Sequence, residues 1–518
     1  MSTYAAPHVA GLRARPATAR AAGAAALGVL LAVAVLLRTT ELHIGYWVDE
    51  GLSVGIASHG LGDIPGLLRQ DAAPPLYYLL LHLWMDVFGD RESATRSLSV
   101  LFAALTVPAA LWAGWSVFGR RAGWLAAAGA AVSPFLTTYA QDTRMYSLAV
   151  LLGVLFAASF AHVFAFGRRR WLPLFVASLT LELYTHNWAL FLTAASLGAL
   201  AVCWRASGDR RALVRDALLG YGAAALLFAP WLPTLIFQAR HTGAPWTVAP
   251  GVLQLVVVPV GVLGGWVAAV ALVAGIGRGA VALRGSGRPA LAIRSLAAMA
   301  VLVPVIGWLA SQVSPAWTGR YLALALGPFL LLAAGALARL RRFELAAIAV
   351  VAVVWALGAA PALKSNARDV VRGFAGQLRP GDEVISTQPE QLPTVSYYLG
   401  VRGLRTATLL GPTADPGVVD WRRGLARLRA TSVHGRLEPL LAALPVGGRL
   451  LLVRPIISGL GHWIAPWPKA VRINSSRWAQ ALSEDHRFRL LSSQPPPPLP
   501  ADPGQHPVQA ALYVKVHG

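Results

Sequence analysis

Two adjacent carboxylates, Asp49 and Glu50, directly follow the first long apolar segment of the chain. Tyr46 and Trp47 precede them, and such aromatic residues favour the membrane–water interface. A carboxylate at this depth can act as a general base and take a proton from a hydroxyl nucleophile. Asp49 is our candidate base and Glu50 a positioning residue or second acid, although both could simply be solvated carboxylates at a helix end.

Two further polar clusters lie at turns between apolar segments. The first contains Asp142 and Arg144, which could form a self-contained ion pair or belong to a site. Exposed ion pairs contribute little to stability, so stability alone is a weak reason for this pair. The second contains Arg320, which could be a snorkelling anchor or a bidentate phosphate ligand. Tyr321 follows it and is a candidate substrate-binding residue.

Five more aromatic or histidine side chains are candidates for substrate binding. Tyr77 and Tyr78 follow two prolines that favour a helix start, and His82 shares a helix face with Tyr78. His186 lies in a short turn between two apolar segments, and Trp246 lies in a polar loop. Each has a structural alternative, because interfacial aromatic residues often form a belt and turns often carry polar side chains.

The composition is that of a membrane protein. The chain has 518 residues, of which 13% are charged, whereas soluble domains carry roughly 25%. The net charge of +22 would suggest nucleic-acid binding in a soluble protein. Here the arginines fall in short clusters between apolar runs, as the positive-inside rule predicts for cytoplasmic loops. The single cysteine, Cys203, excludes an intramolecular disulfide.

Eleven segments are long and apolar enough, or nearly so, to cross a membrane as helices of about 20 residues. They are residues 21–38, 97–118, 123–140, 145–167, 171–186, 188–204, 217–236, 251–276, 295–312, 321–338 and 344–361. The first has a basic flank and no clear cleavage site. We therefore expect a retained first span, with the tail 1–20 in the cytoplasm.

The apolar run 74–89 decides the topology, because its length of about 16 residues is short for a span. If it crossed the membrane, every arginine cluster of the later loops would lie outside. If it does not cross, every cluster lies inside, as the positive-inside rule requires. We therefore expect it to lie along the outer surface within one external loop, 39–96, although a short span is the alternative.

The C-terminal part, residues 362–518, has ordinary polarity. Strand-like runs at 383–386, 406–410, 449–453 and 512–516 alternate with helical stretches at 366–378, 421–428 and 476–482. This alternation predicts a small α/β domain, which eleven spans from a cytoplasmic start would place outside the cytoplasm. Residues 495–498 are expected to form an extended polyproline segment.

Several common motifs are missing from the sequence. It contains no Walker loop and no dinucleotide-binding glycine fingerprint, which argues against a cytosolic nucleotide site. It also contains no Cys/His cluster with zinc spacing and no Gly-x-Ser-x-Gly elbow.

The order of four motifs resembles the GT-C superfamily of membrane glycosyltransferases. These are the Asp-Glu pair after the first span, the Pro-Pro-Leu-Tyr-Tyr helix start, the Gln-Asp-Thr-Arg-Met-Tyr turn and the Arg-Tyr pair that opens a late span. The chain is most similar to the glycosyltransferase family 39-like (protein mannosyltransferase-like) membrane proteins of bacteria, over about residues 20–330.

The resemblance implies an all-α polytopic membrane domain over residues 21–361, with about eleven transmembrane helices and membrane-parallel helices in the large loop 39–96. A small extracytoplasmic α/β domain, 362–518, would follow. It implies a multi-pass protein of the cell membrane that moves a mannose-like hexose from a polyprenyl-phosphate donor. The acceptor would be an extracytoplasmic glycan, lipid or protein, attacked with inversion at the sugar.

The resemblance also assigns roles to individual residues. Asp49 would be the general base, with Glu50 and Asp142 as further catalytic carboxylates. Arg320, with Arg144 beside Asp142, would bind the donor phosphate. No cofactor is implied, and we assign no metal ligand because members of the superfamily differ in metal use.

Three alternatives stay open at this stage. A lipid-linked pentose (arabinose-type) transferase in cell-wall polysaccharide synthesis would have the same fold. A transporter or flippase of lipid-linked sugars is a second alternative, although transporters usually show internal repeats and broken midplane helices. A non-catalytic scaffold that binds partners through residues 362–518 is the third.

Overall fold

The computed structural model describes residues 17–243, 245–281, 287–341, 346, 349–351, 364–457, 463–494 and 506–518. Most of the predicted span 344–361 lies outside the described residues, and so does the predicted polyproline segment 495–498.

The described residues up to Leu337 are almost entirely helical. The α-helices are α1 (Ala17–Arg38), α2 (Val48–Ala57), α3 (Ile64–Asp71), α4 (Leu76–Phe88), α5 (Glu92–Phe118), α6 (Arg120–Val132), α7 (Pro134–Ala140), α8 (Tyr146–Phe160), α9 (Leu172–Thr185), α10 (Ala189–Ala206), α11 (Arg210–Phe228), α12 (Leu232–His241), α13 (Gln254–Val262), α14 (Trp266–Val281), α15 (Arg288–Val313) and α16 (Ala323–Leu337). The π-helix Ala161–Ala165 extends α8, and 3₁₀ turns precede α9, α12 and α16. Helix α8 lies at the centre of the bundle, because nearly all of its apolar span is buried.

Seven helical units in the described ranges are long and apolar enough to cross a membrane. They are Arg20–Arg38, Glu92–Phe118, Tyr146–Ala165, Ala189–Ala206, Arg210–His241, Arg288–Val313 and Gly319–Leu337. Helices α13 and α14 would form an eighth if they count as one span. The chain is therefore a multi-pass membrane protein, and the number eleven stays a prediction.

Some predicted spans are not single straight helices. The segment 123–140 is divided between α6 and α7, because Pro134 starts a new helix that the Ser133 hydroxyl caps. Helices α13 and α14 meet at an angle of 91°. Gly264 and Gly265 separate them with φ values of 87° and 99°, a conformation that favours glycine. Helix α9, with 14 residues, is shorter than a full crossing.

The run 74–89 forms α4, whose 13 residues are too few to cross a bilayer as a straight helix. It begins at Leu76, directly after Pro74 and Pro75, as the proline pair predicts. Together with α2 and α3 it lies in the chain between α1 and α5. The segment predicted as one external loop thus contains three short helices.

The described residues from 364 onward, here called the C-terminal sheet region, form a mixed α/β structure. Its strands are β1 (Glu383–Ser386), β2 (Arg405–Thr408), β3 (Gly411–Thr413), β4 (Arg449–Pro455), β5 (Phe488–Ser493) and β6 (Val508–Lys515). Its α-helices are α17 (Ala367–Ala375), α18 (Leu392–Leu399), α19 (Gly424–Arg429), α20 (Glu438–Ala443) and α21 (Pro466–Glu484). The strand order is β3-β2-β1-β4-β6-β5. Strand β1 runs parallel to β2 and β4, and the remaining pairs are antiparallel.

Helix α2 lies directly against the C-terminal sheet region. Gly51 and Gly55 share one face of α2, and a Cβ atom at either position would clash, with Thr394 and with the Gly417 backbone respectively. The Tyr398 hydroxyl accepts the Tyr46 N–H at 2.6 Å just before this helix. The absence of side chains at the two glycines therefore lets the C-terminal sheet region hold the helix that carries Asp49 and Glu50.

Candidate active site

A cavity of about 850 Å³ lies where the segment 39–96, the ends of α12, α15 and α16, and the C-terminal sheet region meet. Six of the sequence-predicted site residues line it: Asp49, Arg144, His186, Trp246, Arg320 and Tyr321. The other five are not among the lining residues: Glu50, Tyr77, Tyr78, His82 and Asp142. Residues from five distant segments of the chain thus converge at one place.

Asp49 lies in the first turn of α2, where the helix dipole favours a carboxylate. Its Oδ2 lies 2.9 Å from Nη1 of Arg320. The contact is an ion pair without hydrogen-bond geometry, since Asp49 Oδ2 has no hydrogen-bond partner in the described structure. Burial alone would raise the pKa of Asp49, but Arg320 and Arg144 outweigh it and hold the pKa below its ordinary value. Asp49 is therefore ionised at neutral pH.

Arg320 and Arg144 supply positive charge on the same side of the cavity. The Arg320 guanidinium lies 5.7 Å from the ring centroid of Trp47 and 5.7 Å from that of Tyr321. Nη1 of Arg144 donates to Ser53 Oγ at 3.0 Å and to the Tyr78 hydroxyl at 3.3 Å. In the described part of the chain, Nε of each arginine lacks a hydrogen-bond partner. Both guanidiniums thus retain donor capacity for an anion.

Glu50 faces away from the cavity. Arg96 donates to both of its carboxylate oxygens, from Nε at 2.7 Å and from Nη2 at 2.6 Å, and Thr143 N–H donates at 2.8 Å. The carboxylate is fully buried. Burial would raise the pKa of Glu50, but the bidentate pair with Arg96 holds it below its ordinary value. This geometry fits the positioning role considered for Glu50 and offers no access for a substrate.

Asp142 is also buried and does not form the self-contained pair with Arg144. Instead its Oδ1 accepts the indole N–H of Trp47 at 2.8 Å and lies 2.9 Å from Nζ of Lys364. Burial and the nearby charge of Glu50 raise the pKa of Asp142, and Lys364 opposes them. Asp142 is therefore linked to the cavity through Trp47, which lines it.

The three α4 candidates make contacts of a structural kind. The Tyr77 hydroxyl pairs with Ser99 Oγ at 3.2 Å, and Tyr78 receives a hydrogen bond from Arg144. Nδ1 of His82 donates to the Ala57 carbonyl at 2.8 Å, which joins α4 to α2. These residues contact Ser99, Arg144 and the end of α2, and they do not line the cavity themselves.

His186 and Tyr321 form an aromatic contact on the wall formed by α9 and α16, with ring centroids 4.8 Å apart. Nδ1 of His186 accepts the Trp188 N–H at 3.1 Å, so the other ring nitrogen carries the proton. Burial, reinforced by Arg144 and Arg320, lowers the pKa of His186 to about 3. The imidazole is therefore neutral and can donate one hydrogen bond.

Sequence reasoning identified only Trp246 on one wall of the cavity and missed the other residues of that wall. Asp71 and Gln238 lie on it, and the C-terminal sheet region contributes Glu390, Trp421 and Trp467. The sequence offered one usable signal, because Asp71 immediately precedes the Ala-Ala-Pro-Pro helix start. The residues of the C-terminal sheet region follow no motif that links them to the membrane helices.

The acidic residues around the cavity do not form a metal site. Within the described ranges, no group of three or more His, Cys, Asp or Glu side chains is placed to hold a metal ion. Asp49, the most exposed to the cavity of the predicted acids, is paired with Arg320 instead. We therefore derive no step through a metal.

No protein-family model matches the chain, and neither does any curated protein. Solved structures do match. The crystal structure of ArnT from Cupriavidus metallidurans in the apo state has a TM-score of 0.65 at 15% identity, over 95% of this chain and 98% of that one. The same protein bound to undecaprenyl phosphate has a TM-score of 0.64 at 14% identity, over 96% and 98%.

A third likeness is to the cryo-EM structure of the arabinofuranosyltransferase AftD from Mycobacteria. Its TM-score is 0.57 at 14% identity, over 95% of this chain but 40% of that one. At these identities the likenesses show the fold and not the substrate. This chain has the GT-C fold, with a helical membrane part and a C-terminal sheet part, which confirms the predicted fold class.

Proposed function

We propose that this protein is a glycosyltransferase that moves a sugar from a polyprenyl-phosphate donor to an acceptor on the outer side of the membrane. The observation that carries the proposal is the ion pair of Asp49 and Arg320 on the cavity wall, 2.9 Å apart, with unused hydrogen-bonding capacity on both partners. A carboxylate and a guanidinium placed together provide the base and the phosphate ligand that such a transfer requires.

The donor phosphate binds Arg320 and Arg144. A phosphate accepts paired N–H bonds from guanidinium groups, and both arginine side chains line the cavity. The leaving polyprenyl phosphate is already anionic, so positive charge stabilises its departure more than protonation would. The ArnT structure that contains undecaprenyl phosphate supports this class of donor.

Asp49 is the general base. When the donor phosphate engages Arg320, the carboxylate loses its ionic partner and becomes the nearest acceptor for a hydroxyl proton. The acceptor oxygen then bonds to the anomeric carbon while the carbon–oxygen bond to phosphate breaks, and the proton goes to Asp49. Attack from the face opposite to the phosphate inverts the sugar. Glu50 and Asp142 hold α2 and Trp47 in place.

The sugar is a mannose-like hexose in this proposal, as the motif resemblance suggests. The likeness to AftD supports the alternative of a pentose of the arabinose type. Both sugars would use the same phosphate site, so the identity of the sugar does not change the roles of Asp49 and Arg320.

The topology belongs to the same proposal. The tail 1–20 is cytoplasmic, residues 21–361 form the transmembrane catalytic part, and the domain 362–518 lies outside the cytoplasm. A reporter fused after Gly518 should then be active only outside. Activity only in the cytoplasm would reject this orientation.

The test uses purified protein in lipid nanodiscs with synthetic polyprenyl-phosphate mannose or polyprenyl-phosphate arabinose as donor, and a cell-envelope extract that supplies the acceptor hydroxyl. Wild-type protein should release polyprenyl phosphate from one of the two donors. Asp49→Asn should slow the release by about 10²–10⁴-fold, the range that a general base contributes. Asp63→Asn is the matched control, because Asp63 is exposed in the same segment. Movement of intact donor across a liposome membrane without release would favour the flippase alternative and reject the transferase.

A further inference from the structure

Two carboxylates on the cavity wall that carries Trp246 have no part in the proposed transfer. The Asp71 side chain lies beside Trp421 and Tyr78. Both oxygens of Glu390 accept the indole N–H of Trp467, at 3.1 Å and 3.0 Å, and Gln388 donates to one of them at 3.0 Å. Each carboxylate lines the cavity next to a tryptophan. A carboxylate has about four acceptor positions, so both retain capacity for further donors.

Gln238 adds an unused acceptor beside them. Its amide nitrogen donates to the carbonyls of Leu68 at 2.8 Å and Ala73 at 3.2 Å, which fixes the amide orientation. Its Oε1 therefore faces away from those partners, and no group in the described structure donates to it. The residue is only 3% exposed and lines the cavity. A buried acceptor without a donor is costly, so a ligand hydroxyl that reached Oε1 would remove this cost.

A row of indole rings completes the wall. The ring centroids of Trp246 and Trp421 are 5.0 Å apart, and those of Trp421 and Trp467 are 4.8 Å apart. Main-chain bonds clamp the row, from Trp421 N–H to the Gln70 carbonyl at 3.1 Å and from Trp467 N–H to the Pro245 carbonyl at 2.9 Å. The C-terminal sheet region is thus joined to the end of α3 and to the loop around Pro245, and Trp246 is partly exposed.

We propose that this wall, formed by Asp71, Gln238, Trp246, Glu390, Trp421 and Trp467, binds the acceptor, and that the acceptor is an uncharged saccharide. Sugar hydroxyls are donors that match the acceptor-rich set, and the apolar face of a sugar ring packs against an indole. An acceptor with phosphate or carboxylate groups would meet two carboxylates here and be repelled. The proposal rests on the proposed function, because it names the acceptor of that reaction.

The surroundings of Asp71 and Glu390 fit this assignment. Burial raises the pKa of Asp71 to about 6, although Arg144 opposes the rise, so the carboxylate is mostly ionised at neutral pH. The charged or titratable groups that interact with it are Arg144, Asp49 and Tyr78. Burial likewise raises the pKa of Glu390. Both residues are partly exposed on the cavity wall, so ligand hydroxyls can reach their carboxylates.

The experiment measures binding to the full-length protein in nanodiscs by calorimetry. The uncharged probes are linear trisaccharides of mannose, arabinose and galactose, and the comparison probes are a galacturonate trisaccharide and a threonine-containing peptide. Polyprenyl phosphate is measured in parallel to report on the Arg320 site. We expect at least one uncharged trisaccharide to bind, and Glu390→Gln and Asp71→Asn to weaken it about tenfold or more.

Controls separate this proposal from the previous one. Glu484→Gln makes the same chemical change at an exposed position of α21 and should alter neither affinity. Trp246→Leu should weaken trisaccharide binding even if the acidic variants fail to fold. Polyprenyl phosphate binding with no saturable binding of any uncharged probe at about 10 mM would overturn the acceptor site alone. The acceptor site would also be overturned if the galacturonate or peptide probe bound more tightly than every uncharged trisaccharide. If the wild-type protein did not bind polyprenyl phosphate at all, the proposed function itself would be contradicted.

Discussion

The buried pair of Glu50 and Arg96 allows a sharp test of which adjacent carboxylate does chemistry. Glu50→Gln removes a charge that is fully buried and leaves a guanidinium that is 4% exposed. Removing one partner of a buried ion pair costs about 3–5 kcal/mol, because the other charge stays uncompensated. Arg96 keeps bonds to the carbonyls of Leu42 at 2.9 Å and Ile44 at 2.5 Å. We therefore expect a loss near the lower limit, about 3 kcal/mol.

The assay is unfolding in detergent, followed by tryptophan fluorescence for Glu50→Gln, Arg96→Met and the double variant. Glu484→Gln is the control, since it makes the same change on the surface. The double variant should lose less unfolding free energy than the two single variants together, by about 1–3 kcal/mol, because it leaves no unpaired charge. The pKa of Glu50 in the folded protein is lower than its ordinary value of 4.5. The pair therefore contributes its full stability above about pH 4.5, and this contribution is lost as the pH falls through the lowered pKa.

One result would refute this reasoning. If Glu50→Gln unfolds like the wild type and yet abolishes sugar transfer, Glu50 contributes chemistry and not support. Glu50 would then have to reach the cavity in a conformation different from the one described here.

Three further predictions follow from the same geometry. Arg320→Lys should raise the KM for the polyprenyl-phosphate donor about tenfold because lysine lacks the planar fork, and an unchanged donor KM would remove Arg320 from the phosphate site. Gly55→Ala should loosen the contact of α2 with the C-terminal sheet region and speed limited proteolysis between them, whereas Gly62→Ala, in open space, should not; equal rates would contradict the close approach. The kcat/KM for the acceptor should fall as the pH drops through about 6, because Asp71 becomes protonated there. The kcat/KM for the donor should not change over this pH range, because the pKa of Asp49 is lowered. Parallel profiles for the two substrates would contradict the separate sites.

The membrane part could be predicted well because its signal is local. Apolar length and arginine clusters locate most helices within a few residues, and the proline pair locates the start of α4. Breaks within spans are harder, because hydropathy does not report them. Gly264 and Gly265 lie inside a continuous apolar run, and only their positive φ values reveal the bend. Strands β3 and β5 were not predicted. Strand β3 has only three residues, and β5 is largely exposed and lacks a strong alternating pattern.

The candidate site could be predicted only in part, because its other half depends on contacts between distant residues. Asp142 and Arg144 suggest an ion pair by proximity, yet Asp142 pairs with Lys364, more than two hundred residues away. No local pattern links Glu390 to Asp49, although both line one cavity. Such pairings arise from packing of the C-terminal sheet region on the membrane helices, and a single sequence does not encode that packing in any periodic signal.

The division of roles between Asp49 and Glu50 follows from helix geometry. Successive residues on an α-helix point about 100° apart, so the two adjacent carboxylates point in different directions. Glu50 points inward to Arg96, and Asp49 consequently points to Arg320. The C-terminal sheet region packs on a third face of α2 at Gly51 and so fixes the rotation of the helix. The wall that we assign to the acceptor and the helix that carries the base are therefore held by the same region, which sets the distance between acceptor hydroxyl and base.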